Sequence, residues 1–285
     1  MPTLVVDRLR PIPDTSTVTW WDQFMPPWRQ GIDARQIDVD RTARLVEFDD
    51  RVRANGGVPL QRAASTTTRT FNREQPGTWW NPWPTVQMPF PNEVWVDQWT
   101  TDFMWFGVDP VRQMYWEATE VGPFALFKWL PTDLWALGYV RVYDLRQRWD
   151  TQKASVCGGG LPMWPMVPRI ADLNKGAGGV QHALHFVVSD GYSNEPPVPP
   201  ARKTDGLVKG HPLRAGARLR LSDAAFFQLS AMADTVHDQA LVWALRHYGA
   251  IVNDRTANGH ALRLPAAPEL KLTVQMRLTD FEVVL

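Results

Sequence analysis

The sequence predicts a mainly β protein: a β-sandwich of jelly-roll type with one or two packed helices and an extended N-terminal arm. Three observations lead there. Short runs rich in aromatic and β-branched residues recur from Phe90 onward, divided by Asp-Pro, Gly-Pro and Leu-Pro breaks at roughly ten-residue spacing. Helical apolar spacing is confined to two segments. The first 28 residues carry prolines at 11, 13, 26 and 27, which fix φ and remove donors, so this stretch reads as an arm lying along another surface.

Each element follows in order. "LVVDRL" is a short strand within the arm. In "DVDRTARLVEFDDRVRANGG", Leu45, Phe48 and Val52 fall at helical spacing, with Asp40 as N-cap and Gly56 as the stop; the spacing predicts a helix over 41–54. "AASTTTRT" is a surface connection or an edge strand. "EVWVDQW", "DFMWFGVD", "QMYWEATEV" and "FALFKWL" read as strands, continued by "HALHFVV", "ARLRLS", "GAIVND", "HALRL" and "FEVVL", with "DRTANGH" as a hairpin connection. A helix over 235–248 presents Val236, Ala240, Leu241, Ala244, Leu245 and Tyr248 as one stripe, capped by Asp234 and ended by Gly249. Residues 29–285 therefore read as a single sandwich domain behind the arm.

Composition narrows the function. Thirty basic and thirty acidic residues cancel without a one-signed run, which removes the electrostatic drive toward nucleic acid. Cys157 is alone, so neither an internal disulfide nor a thiolate zinc cluster is expected, and no metal or other cofactor is called for. Asp7, Arg8 and Arg10 interrupt the opening apolar run, against a secretory signal; no stretch reaches the roughly 20 apolar residues of a spanning helix, and cytoplasmic synthesis is expected.

Fourteen of fifteen tryptophans precede residue 165. An indole face stacks on the apolar side of a sugar ring, and its N–H meets a hydroxyl, so clustered exposed tryptophans fit a carbohydrate surface. Trp95, Trp105, Trp116, Trp129 and Trp135 lie on strand-like runs and are assigned to the core. For Trp79, Trp80 and Trp83 in "TWWNPWP", sugar platform and hydrophobic plug both stay open. Asp97 and Arg202 are polar candidates for sugar hydroxyls, and Trp20, Trp21 and Trp28 are candidates for partner contact.

Catalytic signals are thin. His182 and His185, three apart on a strand, point to opposite faces, so packed histidines are expected over a shared metal. Asp97, Asp102, Asp109, Glu117 and Glu120 offer carboxylates without a spacing that selects two. "CGGG" at 157–160 lacks the Lys and Ser/Thr of a phosphate loop and reads as a flexible turn. A cleaving enzyme, hydrolase or lyase, would draw on His182, Tyr248 and a carboxylate from 97–120.

The segment "GGGLPMWPMVPRIADLNKGAGGVQHALHF" resembles one found in a family of uncharacterised secreted bacterial proteins, with its pattern AGLP, LVR and HAL.F. "PPARKTDG", "AGARLRLSDAAF" and "ALRHYGAIVNDRTANGHALRL" continue the similarity, and "MPPWRQGIDARQIDVDRTARLVEF" opens it, so it covers roughly residues 24–264. It implies a mainly β core and both helices, and carries no catalytic residue. "PARK" lacks the histidine that often follows PAR in those proteins. Without their export signal, and with its proline-rich arm and many tryptophans, the chain is similar to actinobacteriophage minor tail proteins. That resemblance implies a structural virion component of the tail tip that recognises host cell-wall glycan. Other tail proteins and further copies of the chain are the implied partners, and the virion tail the implied location. The alternative is a polysaccharide hydrolase or lyase on the same scaffold.

Overall fold

The computed structural model describes residues 3–5, 24, 29–32, 35–58, 60–63, 68–71, 85–96, 103–121, 138–189, 191–256 and 259–285. The chain is mainly β. Its strands are β1 (Thr3–Val5), β2 (Arg51–Val58), β3 (Gln61–Arg62), β4 (Thr68–Phe71), β5 (Thr85–Met88), β6 (Glu93–Trp95), β7 (Trp105–Asp109) and β8 (Met114–Ala118). They continue as β9 (Val140–Asp144), β10 (Leu184–Ser189), β11 (Arg218–Leu221), β12 (Ala250–Thr256), β13 (Ala261–Pro265), β14 (Met276–Arg277) and β15 (Phe281–Val284). The α-helices are α1 (Val39–Ala43), α2 (Ile170–Leu173), α3 (Asp223–Ala231) and α4 (Val236–His247). Where one domain was expected over 29–285, the chain divides into two compact units: Met1–Phe24, Gly57–Val156 and Ala266–Pro268 in the first, and the remainder in the second.

In the first unit, β3, β7, β8 and β9 form a sheet in that order, β3 parallel to β7 and the rest antiparallel. Indoles fill its core as the sequence led us to expect. Trp105 is fully buried and Trp116 nearly so, packed with Phe90, Val94 and Val140. Burying an indole requires a partner for its N–H. Gln61 supplies one: its Oε1 accepts from Trp105 Nε1 at 2.9 Å and from Trp95 N at 2.8 Å, while its Nε2 donates to Glu93 O at 2.8 Å. Trp95 is only half-buried; Trp129 and Trp135 lie outside the described residues. "AASTTTRT" ends in β4, which among the described residues pairs only with β5.

The arm is corrected where it is described. β1 pairs in parallel with β6 of its own chain, and Phe24 is fully buried with its ring 5.6 Å from Tyr143. Extended backbone satisfies its N–H and C=O groups by pairing with another strand, and the leader does so with β6 of its own chain in a two-stranded sheet.

The second unit is built on a seven-stranded sheet, β14-β2-β13-β10-β12-β11-β15. Its two outermost strands are joined by Leu278–Asp280 alone, a single 3-10 turn. Laid flat, six strand spacings of ~4.8 Å would separate those edges by ~29 Å, far beyond the ~6 Å rise of three 3-10 residues. The sheet therefore curls until it nearly closes. The connecting turn is tied to both sides, Leu278 N donating to Asp50 O at 3.0 Å and Ser222 N to Asp280 O at 2.9 Å. The outer edge of β15 is covered by the segment before α1, through an Ile37–Val284 antiparallel bridge and the bond from Asp38 N to Val283 O at 2.8 Å.

α4 closes the core. Ala240, Leu241, Ala244 and Leu245 are fully buried against Leu219, Phe186 and Val252. Its N-cap is Thr235, not Asp234: Thr235 Oγ1 accepts from Asp238 N, and the Asp238 carboxylate returns to Thr235, the capping box that a Thr-x-x-Asp spacing permits. Gly249 ends it at φ +69°, as read from the sequence.

The helix expected over 41–54 is shorter. α1 is capped by Asp38 rather than Asp40, becomes a 3-10 helix over Arg44–Phe48, and gives way to β2. Three apolar residues at helical spacing do not outweigh sheet pairing, and Val52 is buried from the strand as well as it would be from a helix. The hairpin expected at "DRTANGH" is also replaced. β12 and β13 are not neighbours; β10 lies between them, parallel to β12 and antiparallel to β13.

Candidate functional site

β10 and β12 pair in parallel with one irregularity: Phe186 faces Val252, but Val187 faces Asp254. Asn253 is thus the extra residue of a β-bulge, a device that re-aims side chains and is rare in parallel pairs. The bulge is fully buried and anchors the 157–160 turn. Asn253 Nδ2 donates to Leu161 O at 2.8 Å, and its Oδ1 accepts from Leu161 N at 3.1 Å. Its backbone carbonyl accepts from Gly159 N at 2.6 Å. His185 Nε2 lies 2.9 Å from Asn253 Nδ2, which makes Nε2 the acceptor and places the ring proton on Nδ1. Burial, and then the charge of Arg263, hold this imidazole well below its usual range, so it is neutral.

Downstream of the bulge, Asp254 faces the same turn and Arg255 reaches Asp205. Asp254 Oδ1 accepts from Gly158 N at 3.4 Å. Arg255 Nε donates to Asp205 Oδ2 at 3.1 Å, while the hydroxyl of fully buried Tyr192 donates to Asp205 Oδ1. Burial, followed by the Asp205 and Asp254 charges, pushes the Tyr192 phenol far up, and it stays protonated. Asp205 and Arg255 keep 40% and 43% of their side-chain surface in solvent, so the carboxylate is fixed yet reachable. Leu207, 64% exposed, stands two residues further along.

The local sequence dictates this proximity. Segments 192–194 and 206–208 run side by side, with a Ser193–Val208 bridge and Val208 N donating to Tyr192 O at 3.1 Å. Gly206 permits the approach, since a Cβ there would sit 2.1 Å from Ser193 O. Gly158 matters in the same way: its Cβ would fall 2.1 Å from Asp205 Oδ1 and 2.7 Å from the Tyr192 hydroxyl. An exposed Arg–Asp pair contributes only about 0–1 kcal/mol to stability, so fold stability is a weak reason for this arrangement. What it offers chemically is a fixed acceptor, a guanidinium donor and a small apolar surface: the groups that bind a hydroxylated ligand.

Of the residues named from sequence, Arg202 borders this cluster, its backbone N donating to Gly159 O at 3.0 Å and its side chain exposed. Asp97, Trp79, Trp80, Trp83, Trp20, Trp21 and Trp28 lie outside the described residues. His182 is half-buried, with Nδ1 2.9 Å from Ala183 O and its titration lowered chiefly by burial. Tyr248 ends α4 with its ring 5.7 Å from Trp243. No described hydrogen bond joins His182 or Tyr248 to Asp205. Glu117 is fully buried, accepting from the hydroxyls of Tyr115 at 2.7 Å and Ser155 at 2.5 Å, and Asp109 Oδ1 accepts from Val111 N and Arg112 N in a turn. The "CGGG" segment is a turn as expected, but a buried one.

Sequence reasoning missed Tyr192, Asp205, Asn253 and Arg255. The available signal was the triple glycine, which marks close backbone approach. Among the described residues no group of three or more His, Cys, Asp or Glu side chains is placed to hold a metal ion, and no helix is long and apolar enough to cross a membrane. No family model, curated protein or solved structure matches the chain.

Proposed function

We propose that this chain is a structural component of a phage tail tip, a minor tail protein, that recognises host cell-wall glycan through the Asp205–Arg255 pair beside the 157–160 turn. The observation that carries the glycan reading is the half-exposed Asp205 carboxylate, oriented on both oxygens by Tyr192 and Arg255. A sugar hydroxyl donates to such a carboxylate and accepts from such a guanidinium. Recognition is favoured over cleavage because the Tyr192 phenol is held protonated and both Asp205 oxygens already accept hydrogen bonds. The tail assignment rests on the likeness to minor tail proteins carried by the proline-rich opening segment and the many tryptophans; the similarity over residues 24–264 is to the secreted bacterial proteins. In this reading Trp79, Trp80 and Trp83 supply stacking faces, and Trp20, Trp21 and Trp28 meet neighbouring tail proteins or further copies of the chain.

Two measurements test it. Purified protein should co-sediment with cell-wall polysaccharide and lose that binding in Asp205→Asn and Arg255→Gln; undiminished binding in both variants would remove Asp205 from the site. Peptides of the chain should be found by mass spectrometry in purified phage particles, and their absence would overturn the tail assignment.

A further inference from the structure

α3, in the second unit, carries apolar side chains on two opposite faces. At about 100° per residue, Ala225 and Leu229 share the inner face and are buried in the core. Ala224, Phe227 and Ala231 fall on the outer face and are exposed, Phe227 by 72%. Gln228 and Ser230 flank them, and no residue from Ala224 to Ala233 is charged. The one charge on the helix, Asp223, is answered within the chain by Arg246 Nη2.

A helix that is apolar all round belongs in an interior, and the folding of one chain buries only half of this one. A single exposed Phe is ordinary. Here it stands in the middle of a charge-free stripe two turns long, which Met232, exposed at the C-cap, extends. The centre of a protein interface is depleted of charge in the same way, with Phe and Met enriched.

Two features select a second copy of the chain as the occupant. The first is charge: a partner bringing Lys, Arg, Asp or Glu onto this stripe would strip it of water and find nothing to pair with. The complementary surface is therefore itself uncharged, a condition the same stripe meets. The second is shape. Ala224, Phe227, Gln228 and Ala231 stand at i, i+3, i+4 and i+7, the corners of a hole that a side chain from a facing helix enters. Two corners are alanine, which leaves the space open, and Phe227 is the side chain to fill it. Because ring and hole lie on one helix, a two-fold axis beside Phe227 and Gln228 seats each ring against the partner's alanines, the isologous arrangement of most dimers. Size sets the strength. Nine residues span only ~13 Å of helix, short of the roughly 800 Å² per partner of a standard interface, so the contact is weak and reversible.

We propose that the outer face of α3 is a homotypic contact through which two copies of this chain associate, α3 packing on α3 about a two-fold axis. The contact does not involve the Asp205 cluster and stands whether or not that cluster binds glycan.

Sedimentation equilibrium of the full chain, with no glycan present, tests it. The mass should rise with concentration from one chain toward two, with a Kd on the order of 10–100 μM. Phe227→Glu, at an exposed position, sets like charges together at the axis and should weaken association about tenfold or more, with circular dichroism and melting temperature confirming the fold. Val111→Glu alters a comparably exposed apolar side chain of the first unit and should leave association unchanged. Gln228→Cys should yield a disulfide-linked dimer under mild oxidation, since the native Cys157 is buried. A chain that stays monomeric up to about 1 mM would overturn the inference and leave the stripe to a different protein or a lipid surface. Association untouched by Phe227→Glu, or weakened as much by Val111→Glu, would also overturn it. A mass that doubles while Gln228→Cys fails to cross-link would overturn the packing of α3 on α3.

Discussion

His185 Nε2 and Asn253 Nδ2 stand 2.9 Å apart inside a fully buried bulge, joining β10 to the residue that turns β12 toward the glycine loop. The same amide also holds both backbone groups of Leu161. Asn253→Ala should therefore strand several buried polar atoms at once. We expect a loss of about 3 kcal/mol, since each unsatisfied buried group costs about 1–3 kcal/mol and neighbours relax in part. Urea unfolding measures it, and a loss below about 1 kcal/mol would show that the bulge does not depend on this side chain.

Gly158→Ala tests the loop. The added methyl would sit 2.1 Å from Asp205 Oδ1, so either the carboxylate or the turn must move. Glycan binding should fall sharply, with a stability loss of about 1–3 kcal/mol from overpacking. Retention of full binding would mean that Asp205 orientation is unimportant to it.

Acid should destabilise the second unit. His211 is buried, its Nδ1 accepting from Leu213 N at 3.0 Å, and burial is the first cause that brings its titration down from 6.5 to about 4. His185 is lowered in the same direction, again chiefly by burial. Both are neutral when folded, so the unfolded chain binds protons first. Stability is full above the unfolded value of 6.5 and declines as pH falls toward about 4. Urea midpoints measured across that interval should drop, and His211→Gln should flatten the slope. A flat wild-type profile would contradict the buried neutral state.

The start of α4 depends on Asp238. Burial alone would raise its titration, but donors from Thr273, Val274 and Thr235 prevail and hold it below the ordinary carboxylate value. Thr235→Ala should cost about 1 kcal/mol, the usual loss at an N-cap. Asp238→Ala, which abandons the Thr273 N and Oγ1 bonds of 2.9 and 2.7 Å as well, should cost clearly more. Equal losses would show that the helix cap, not the link to residues 273–274, is the dominant role.

Strands were legible because aromatic and β-branched runs leave few other choices, as "HALHFVV" and "FEVVL" becoming β10 and β15 illustrate. α3 was not. Ala225 and Leu229 are its buried pair while Phe227 is 72% exposed, so no single apolar stripe announces a helix. Neighbour order was hidden for another reason: "DRTANGH" carries turn residues whether its flanking strands pair directly or straddle β10. The Asp205 cluster was the least visible, since Arg255 meets Asp205 from beyond the bulge at Asn253. A two-versus-one strand count is a property of pairing, and no local composition encodes it.

The single turn over Leu278–Asp280 has a consequence for biosynthesis. While a nascent chain still lacks residues 276–284, both rims of the large sheet stay uncovered, however much of the earlier sequence has emerged from the ribosome. Closure therefore waits on residues 276–284, and a product cut off before residue 276 would expose two sticky borders to its neighbours.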